Sequence, residues 1–202
     1  MEIERQVELF NKQATKYVRR VNQKNSDQKM RQRLLQGAQG DILEVSVGAG
    51  ANFKYYPKTS RITAVDFSPA MIEQAKLVAS EQSRQVDFHI GNVEEIDFPE
   101  KSFDTVISTL SLCSYPHPEK VLQKLSSWCK EDGQVLLYEH GISSNPIFAW
   151  LQHKTDAFFL KKQGCHMNRD ILGLVQSAPL SIVRNESYML NAVHLIWAKP
   201  KE

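Results

Sequence analysis

Apolar and polar positions follow two different periods along this chain. Over residues 3–22, Phe10, Ala14, Tyr17, Val18 and Val21 recur at helical spacing and make one apolar stripe. A polar break at Asn22–Ser26 separates it from a second short helix, about 27–36. That helix carries Met30, Leu34 and Leu35 and stops near Gly37. From residue 41 the pattern changes to short apolar runs at 41–46, 61–66, 86–90, 104–109 and 134–139, which predict strands. Helices at about 50–56, 69–82 and 117–129 fall between them, and Ser68-Pro69 supplies an N-cap and a first-turn proline for the second. Asp132-Gly133 predicts a turn feeding the fifth strand. Strands alternating with helices imply a parallel sheet covered on both faces, the doubly wound α/β class.

After Gly141 the alternation stops. Residues 145–162 are apolar and aromatic, with Ile147, Phe148, Trp150, Leu151, Phe158 and Phe159, and predict a helix crossing back over the sheet. A further helix is expected over 168–178, starting at Asn168. Two β-like runs, Leu180–Leu190 and Ala192–Ala198, meet at Asn191 and predict an antiparallel hairpin at a sheet edge. The expected architecture is Rossmann-like: a mostly parallel seven-stranded sheet with an antiparallel C-terminal hairpin. It forms one domain, with residues 1–37 as a helical cap and 38–202 as the α/β core.

Composition narrows the function classes. The 202 residues, 42% hydrophobic and 24% charged with a net charge of +2, describe an ordinary globular chain and give no argument for a nucleic-acid partner. Residues 1–40 are locally basic, with nine Lys/Arg against four Asp/Glu, which suits a solvated helix face and leaves room for peripheral membrane contact. No segment is long and apolar enough to span a membrane, and the first residues lack a signal-peptide core. Cys113, Cys129 and Cys165 are widely spaced, without Cys-x-x-Cys or clustered histidines, so no metal site is expected. Their odd number fits reduced thiols in a cytoplasmic protein. Oligomeric state is not legible.

The densest chemistry lies at Asp41-Ile42-Leu43-Glu44-Val45-Ser46-Val47-Gly48-Ala49-Gly50, followed by Ile62-Thr63-Ala64-Val65-Asp66. A strand, a glycine loop and a second strand ending in a carboxylate describe a nucleoside pocket. The glycines let backbone approach a ligand, and the carboxylate can accept from two ribose hydroxyls. A dinucleotide fingerprint wants a small residue where Phe53 stands, which weakens a pyrophosphate site and a nicotinamide-dependent oxidoreductase with it.

Five segments in order carry a resemblance to class I S-adenosylmethionine-dependent methyltransferases. They are Glu44 to Gly50, Ala64-Val65-Asp66-Phe67-Ser68-Pro69-Ala70-Met71, Gly91-Asn92-Val93-Glu94-Glu95, Ser102 to Leu110, and Lys130-Glu131-Asp132-Gly133-Gln134. The resemblance implies S-adenosylmethionine as cofactor, S-adenosylhomocysteine as product, and methyl transfer to a small-molecule acceptor, apolar or a thiol. It implies that Gly48 and Gly50 line the methionine and ribose, Ser46 lies in the same loop, and Glu44 helps hold the ligand's amino group. Asp66 would take the ribose hydroxyls, Phe67 and Met71 would pack on adenine, and Asn92 and the Val93 amide would meet its edge. Thr109, Leu110 and Cys113 would wrap the methionine arm, and Tyr17 would close the site. His140, just after the fifth strand, is the candidate base where the acceptor arrives protonated.

The chain departs from the family pattern at Ser46, where glycine is usual, and at Asn92, where Asp is usual. Both departures point to weaker cofactor binding and keep a non-catalytic S-adenosylmethionine-binding module as the alternative. Structural roles stay open beside the functional ones: loop capping for Glu44, helix capping for Asp66, and core packing for Phe67, Met71 and Tyr17. A finer similarity, through Gly50-Ala51-Asn52-Phe53-Lys54-Tyr55-Tyr56-Pro57, Leu112-Cys113-Ser114, Glu139-His140-Gly141 and Gly164-Cys165-His166-Met167-Asn168-Arg169-Asp170, is to a branch acting on thiols or lipid-like acceptors.

Overall fold

Strand β1 (Asp41–Val45) is buried along most of its length, as its nearly unbroken apolar run requires of a central parallel strand. The computed structural model describes residues 3–21 and 26–201, so most of the expected break at Asn22–Ser26 lies outside the described residues. Around β1 run β2 (Arg61–Asp66), β3 (Val86–Ile90), β4 (Phe103–Thr109), β5 (Cys129–His140), β6 (Leu180–Tyr188) and β7 (Val193–Pro200). The seven-stranded order is β3-β2-β1-β4-β5-β7-β6. The first five strands are parallel, and β7 pairs antiparallel with both β5 and β6. The expected α/β sheet with an antiparallel C-terminal hairpin is therefore observed. Within the hairpin it is β7, with Leu195 and Ile196 fully buried, that lies inside the sheet, leaving the more polar β6 at the edge.

The helices are α1 (Ile3–Val21), α2 (Ser26–Leu35), α3 (Pro69–Glu81), α4 (Pro118–Trp128), α5 (Pro146–Gln163) and α6 (Ile171–Ser177). On one face Val121, Leu122 and Leu125 of α4 and Ile171 and Val175 of α6 pack with Leu43, Val45, Val106, Val135 and Leu137. On the other, Leu34 and Leu35 of α2 and Ile72, Ala75 and Val78 of α3 pack with Ile42, Ile62, Ala64, Ile107 and Leu136. Ser68 caps α3 by accepting from the Met71 amide at 3.2 Å, with Pro69 in the first turn. Helix α1 docks at the same place: Asn11 Oδ1 accepts from the Ser68 hydroxyl at 2.6 Å, and Phe10 meets Phe67 edge-on at 5.4 Å.

Four local expectations are corrected. The helix over 50–56 is only a 3-10 turn, Phe53–Tyr55, because the fully buried Phe53 ring must reach Tyr56 and Phe88. Asp132-Gly133 lies within β5 and not before it; residues 130–133 loop out opposite Asp104 between the Phe103–Cys129 and Thr105–Gln134 pairs. Helix α6 begins at Ile171, capped by the Asp170 carboxylate, and not at Asn168. Helix α5 does not cover the sheet with its apolar side. Its inward residues are polar: Gln152 bonds the Ser143 amide and the Gly141 and Met167 carbonyls, and Asp156 bonds His166 and the Met167 amide. Ile147, Trp150, Leu151 and Phe158 are left exposed. Among the described residues no helix is long and apolar enough to cross a membrane.

Candidate functional site

Strand order reverses at β1, whose neighbours β2 and β4 carry the chain away on opposite sides. Loops leaving the carboxyl ends of such strands diverge and open a crevice. A cavity of about 390 Å³ lies there, within the usual size range of small-molecule sites. The loops after β1, β2, β3 and β4 form its floor, and α1 and α2 contribute Phe10, Tyr17, Val21, Asp27 and Arg31.

The loop after β1 is held in an unusual backbone path. Gly48 has φ +54, and a Cβ there would meet nothing within 4 Å, so its open side faces free space. Gly50 has φ +78, and a Cβ would strike the Phe53 ring at 2.6 Å; its freedom serves packing, and it does not line the cavity. Ser46 lines the cavity with φ +50, a left-handed conformation that costs a non-glycine residue roughly 1–2 kcal/mol. Its hydroxyl shares a 2.6 Å hydrogen bond with the Tyr115 hydroxyl. Ser46→Gly loses this bond and relieves the strain, whereas Ser46→Ala loses the bond and keeps it. We therefore expect the glycine variant to be more stable than the alanine variant by about 1 kcal/mol in paired denaturant titrations. An alanine variant equal to or better than glycine would mean the strain is absent.

Asp66 closes this loop against β2. One carboxylate oxygen accepts from the Gly48 amide at 2.8 Å and the other from the Ser68 amide at 2.9 Å. An ionised carboxylate has about four acceptor positions, so two remain for hydroxyl donors in the cavity that Asp66 lines. Burial pushes its pKa up to about 6, against the lowering effect of the two amides.

Glu44 is directed elsewhere. It is buried and accepts from Asn52 Nδ2 at 2.7 Å and the Tyr56 hydroxyl at 2.7 Å, and it does not line the cavity. Asn52 passes the contact on: its carbonyl accepts from Arg31 Nη1 at 2.9 Å. Arg31 also donates to Thr109 Oγ1 at 2.9 Å and Asp27 Oδ2 at 2.9 Å, and lies 5.5 Å from the Tyr138 ring centre. A relay of side chains thus ties α2 to β1 and β4 along one cavity wall. Burial lifts Glu44 to about 7 despite the Tyr56 and Asn52 donors.

The loop after β4 is shaped by a second buried carboxylate, Glu139 at the end of β5. It accepts from the Ser108 hydroxyl and from the Ser111 and Leu112 amides at 2.7, 2.9 and 3.1 Å. The turn forces Leu110 to φ +54 at the cavity edge. Strained non-glycine residues collect where structure holds a ligand site in shape. Burial raises Glu139 to about 7 as well.

Of the residues singled out from sequence, Tyr17, Ser46, Gly48, Asp66, Phe67, Met71, Asn92, Thr109 and Leu110 line the cavity. Glu44, Gly50, Val93, Cys113 and His140 do not. The Asn92 carbonyl accepts from the Glu94 amide at 3.0 Å, so one of its acceptor positions is already filled. His140 is not among the residues that line the cavity, and its Nε2 lies 2.9 Å from Cys165 Sγ, a placement that does not support a role as the base. Cys113 joins the same cluster and not the methionine arm. Its thiol, His140 and Cys165 present ligand atoms all within 4.8 Å of one another. The fold gathers these residues from three distant segments, a convergence that local spacing does not show. Arg31, Asn52, Tyr115 and Tyr138 escaped the sequence reading. Arg31 did leave a signal, since it stands at i relative to Leu34 and Leu35 at i+3 and i+4, a cation on an apolar face.

The three raised carboxyls fix a pH dependence. Each binds its proton more tightly folded than unfolded, so its stabilisation is complete below its ordinary value near 4 and is lost as pH rises through 6 to 7. His194, lowered by burial, opposes them as a single group. The carboxyls held low, such as Glu186 at about 2, titrate below this window. The unliganded protein should therefore melt at a higher temperature at pH 5.5 than at pH 8. A melting temperature that rises with pH over this range would refute the assignment.

These residues fit an S-adenosyl ligand. The carboxylate has spare acceptor positions, Phe67 and Met71 offer apolar surface beside it, and Gly48 leaves open space. They do not fit a dinucleotide, because the glycine loop leads into a 3-10 turn and offers no helix N-terminus for a pyrophosphate.

Comparison with known proteins agrees with this geometry. Residues 43–137 match the family model described as "Methyltransferase domain". The chain is 29% identical over 192 residues to methyltransferase OMS1, mitochondrial, of Saccharomyces cerevisiae, covering 86% of this chain and 41% of that protein. It is 30% identical over 159 residues to thiol S-methyltransferase TMT1B of Mus musculus, covering 75% of this chain and 65% of that one. The chain thus spans less than two thirds of the length of either relative. Geranyl diphosphate methyltransferase in complex with SAM superposes with a TM-score of 0.70 at 13% identity, covering 86% of this chain and 85% of that one, a likeness of fold.

Proposed function

We propose that this chain is a class I S-adenosylmethionine-dependent methyltransferase and that it transfers a methyl group from S-adenosylmethionine to a small thiol with an apolar body. The match of residues 43–137 to the methyltransferase-domain model and the similarity to named methyltransferases support this reading. The observation that carries the cofactor is the buried Asp66 carboxylate, anchored by two backbone amides and still able to accept from a ribose. The acceptor class is supported by the similarity to a thiol S-methyltransferase and by the apolar cavity residues Ile3, Phe10, Val21 and Leu110.

S-adenosylmethionine supplies a methyl group already activated on a sulfonium, so the protein's task is to align the acceptor and exclude water. Tyr17 and Phe10, on the covering helix, suit the second role. Arg31 and Lys54 line the cavity together with Asp27 and Asp66, so its cationic and carboxyl groups are equal in number. A thiol already ionises by a few per cent at neutral pH, so no dedicated base is required, consistent with His140 lying outside the cavity lining. The reading includes a reducing, cytoplasmic setting, supported by the three free cysteines, and a small-molecule acceptor with no nucleic acid.

Methyl-labelled S-adenosylmethionine incubated with a panel of alkyl and aryl thiols, and with quinols as apolar controls, tests the proposal. The label should enter a thioether as S-adenosylhomocysteine accumulates in equal amount. S-adenosylhomocysteine at about 100 times its dissociation constant should add about 2.7 kcal/mol of stability, and NAD none. Stabilisation by NAD alone would remove the cofactor assignment. Labelling of quinols only would move the acceptor to the apolar class. Binding without transfer to any acceptor would leave a non-catalytic module.

A further inference from the structure

Three residues far apart in the sequence, Cys113, His140 and Cys165, line no part of the cavity and have no role in the proposed transfer, yet they converge in space. Cys113 follows β4, His140 ends β5, and Cys165 follows α5. Their two sulfurs and one ring nitrogen lie within 4.8 Å of one another, with His140 Nε2 2.9 Å from Cys165 Sγ. Both cysteines are free, and His140 Nδ1 is buried without a partner.

We infer that Cys113, His140 and Cys165 form a three-ligand site for a thiophilic cation of the zinc class. A thiol–imidazole hydrogen bond accounts for Cys165; the Cys113 sulfur, drawn by weak contacts to the Leu110 carbonyl and the Ser114 hydroxyl, still lies within 4.8 Å of the other two ligand atoms. Zinc bonds of about 2.3 Å to sulfur and about 2.0 Å to nitrogen put tetrahedral ligand atoms roughly 3.5–3.8 Å apart. The cluster is within a few tenths of an ångström to an ångström of that spacing. Two sulfurs and an imidazole, with no carboxylate among the donors, select zinc over the oxygen-seeking magnesium and calcium. Binding forms two metal–sulfur bonds and one metal–nitrogen bond, and the two thiol protons pass to solvent. The resulting zinc, two thiolates and neutral imidazole carry no net charge. The nearby Arg169 guanidinium is engaged with the Tyr115 carbonyl and supplies no donor atom. Three protein ligands leave a fourth position open to water or a thiol. The half-buried Cys165 gives the ion a way in. Because Ser111 and Ser114, on either side of Cys113, line the cavity, the ion would brace the cavity wall from behind.

The test uses the full chain, reduced and stripped of metal, with zinc in equilibrium dialysis and cobalt(II) as a spectroscopic probe. One ion per chain is expected, with a sulfur-to-cobalt charge-transfer band and the strong visible bands of a tetrahedral site. Cys165→Ser should weaken binding about 100-fold or more, with its fold checked by circular dichroism, and Cys129→Ser should leave binding unchanged. His140→Ala provides a second ligand deletion that spares both sulfurs. Wild-type protein that takes up no zinc, or no more than Cys165→Ser, overturns the proposal. Binding lost in Cys129→Ser overturns it too.

Discussion

Asp66→Ala should weaken S-adenosylhomocysteine by about 100-fold or more while leaving a folded protein. The size follows from two hydrogen bonds to a charged acceptor, each contributing about 1.5–3 kcal/mol, with 1.4 kcal/mol equal to a factor of ten. The structure adds a second contribution, because the same carboxylate orders the glycine loop through the Gly48 and Ser68 amides. The fold should persist, since removing a carboxylate that burial has already pushed up to about 6 relieves a desolvation cost. The loss of two amide partners works against that relief, and the adjoining cavity lets water reach them. The pH dependence gives an independent reading. Hydroxyl donors bind the ionised form, so wild-type affinity should fall about tenfold per pH unit below about 6, and the variant should lack this dependence. Calorimetry on both proteins across pH 5–8 measures it, with circular dichroism for the fold. Unchanged affinity in a folded Asp66→Ala protein would locate the ribose elsewhere, and the pocket assignment would fail with it.

How much of this was readable from sequence depended on whether the cause was local. The first four strands are legible nearly to the residue; for β1 and β2 the reason is that a parallel strand covered on both faces needs a mostly apolar run, which Asp41–Val45 and Arg61–Asp66 supply. The start of α3 was legible for the same reason: Ser68 and Pro69 act on their own helix. Much of the cavity followed, since Gly48, Asp66, Phe67 and Met71 sit at the ends of those elements. What failed depended on distant partners. The orientation of helix α5 is not legible, because an apolar sequence states what should be buried and not that Gln152 and Asp156 are needed by the backbone of Gly141, Ser143 and Met167 and by the His166 ring. Glu44 fits the family motif, but Asn52 and Tyr56 turn it inward. The cluster of Cys113, His140 and Cys165 was invisible to any spacing rule, since its members meet only once β4, β5 and α5 are folded.

Arg31→Met should produce the largest loss of stability, about 3–5 kcal/mol, the usual cost of removing one partner from a buried ionic network. Methionine keeps much of the length and apolar stem of arginine, so little of the loss should come from packing. What disappears is the guanidinium that serves Asp27, Asn52 and Thr109 together. The Asn52 carbonyl is then left buried without its donor, and Glu44, already raised by burial, loses the nearby positive charge that favours its ionised form. For a chain of this size each kcal/mol moves the melting temperature by about 2–4 °C, so the shift should be about 6–20 °C. Arg31→Lys should recover only part of it, because an ammonium is a point charge and cannot hold the three oxygens that the planar fork spans. The recovery separates the two halves of the role: charge restored with geometry lost. Denaturant titrations of the three proteins would decide it. A loss below about 1 kcal/mol for Arg31→Met would show that the relay from Asp27 through Asn52 to Glu44 carries no coupling. Full recovery in Arg31→Lys would assign the effect to charge alone.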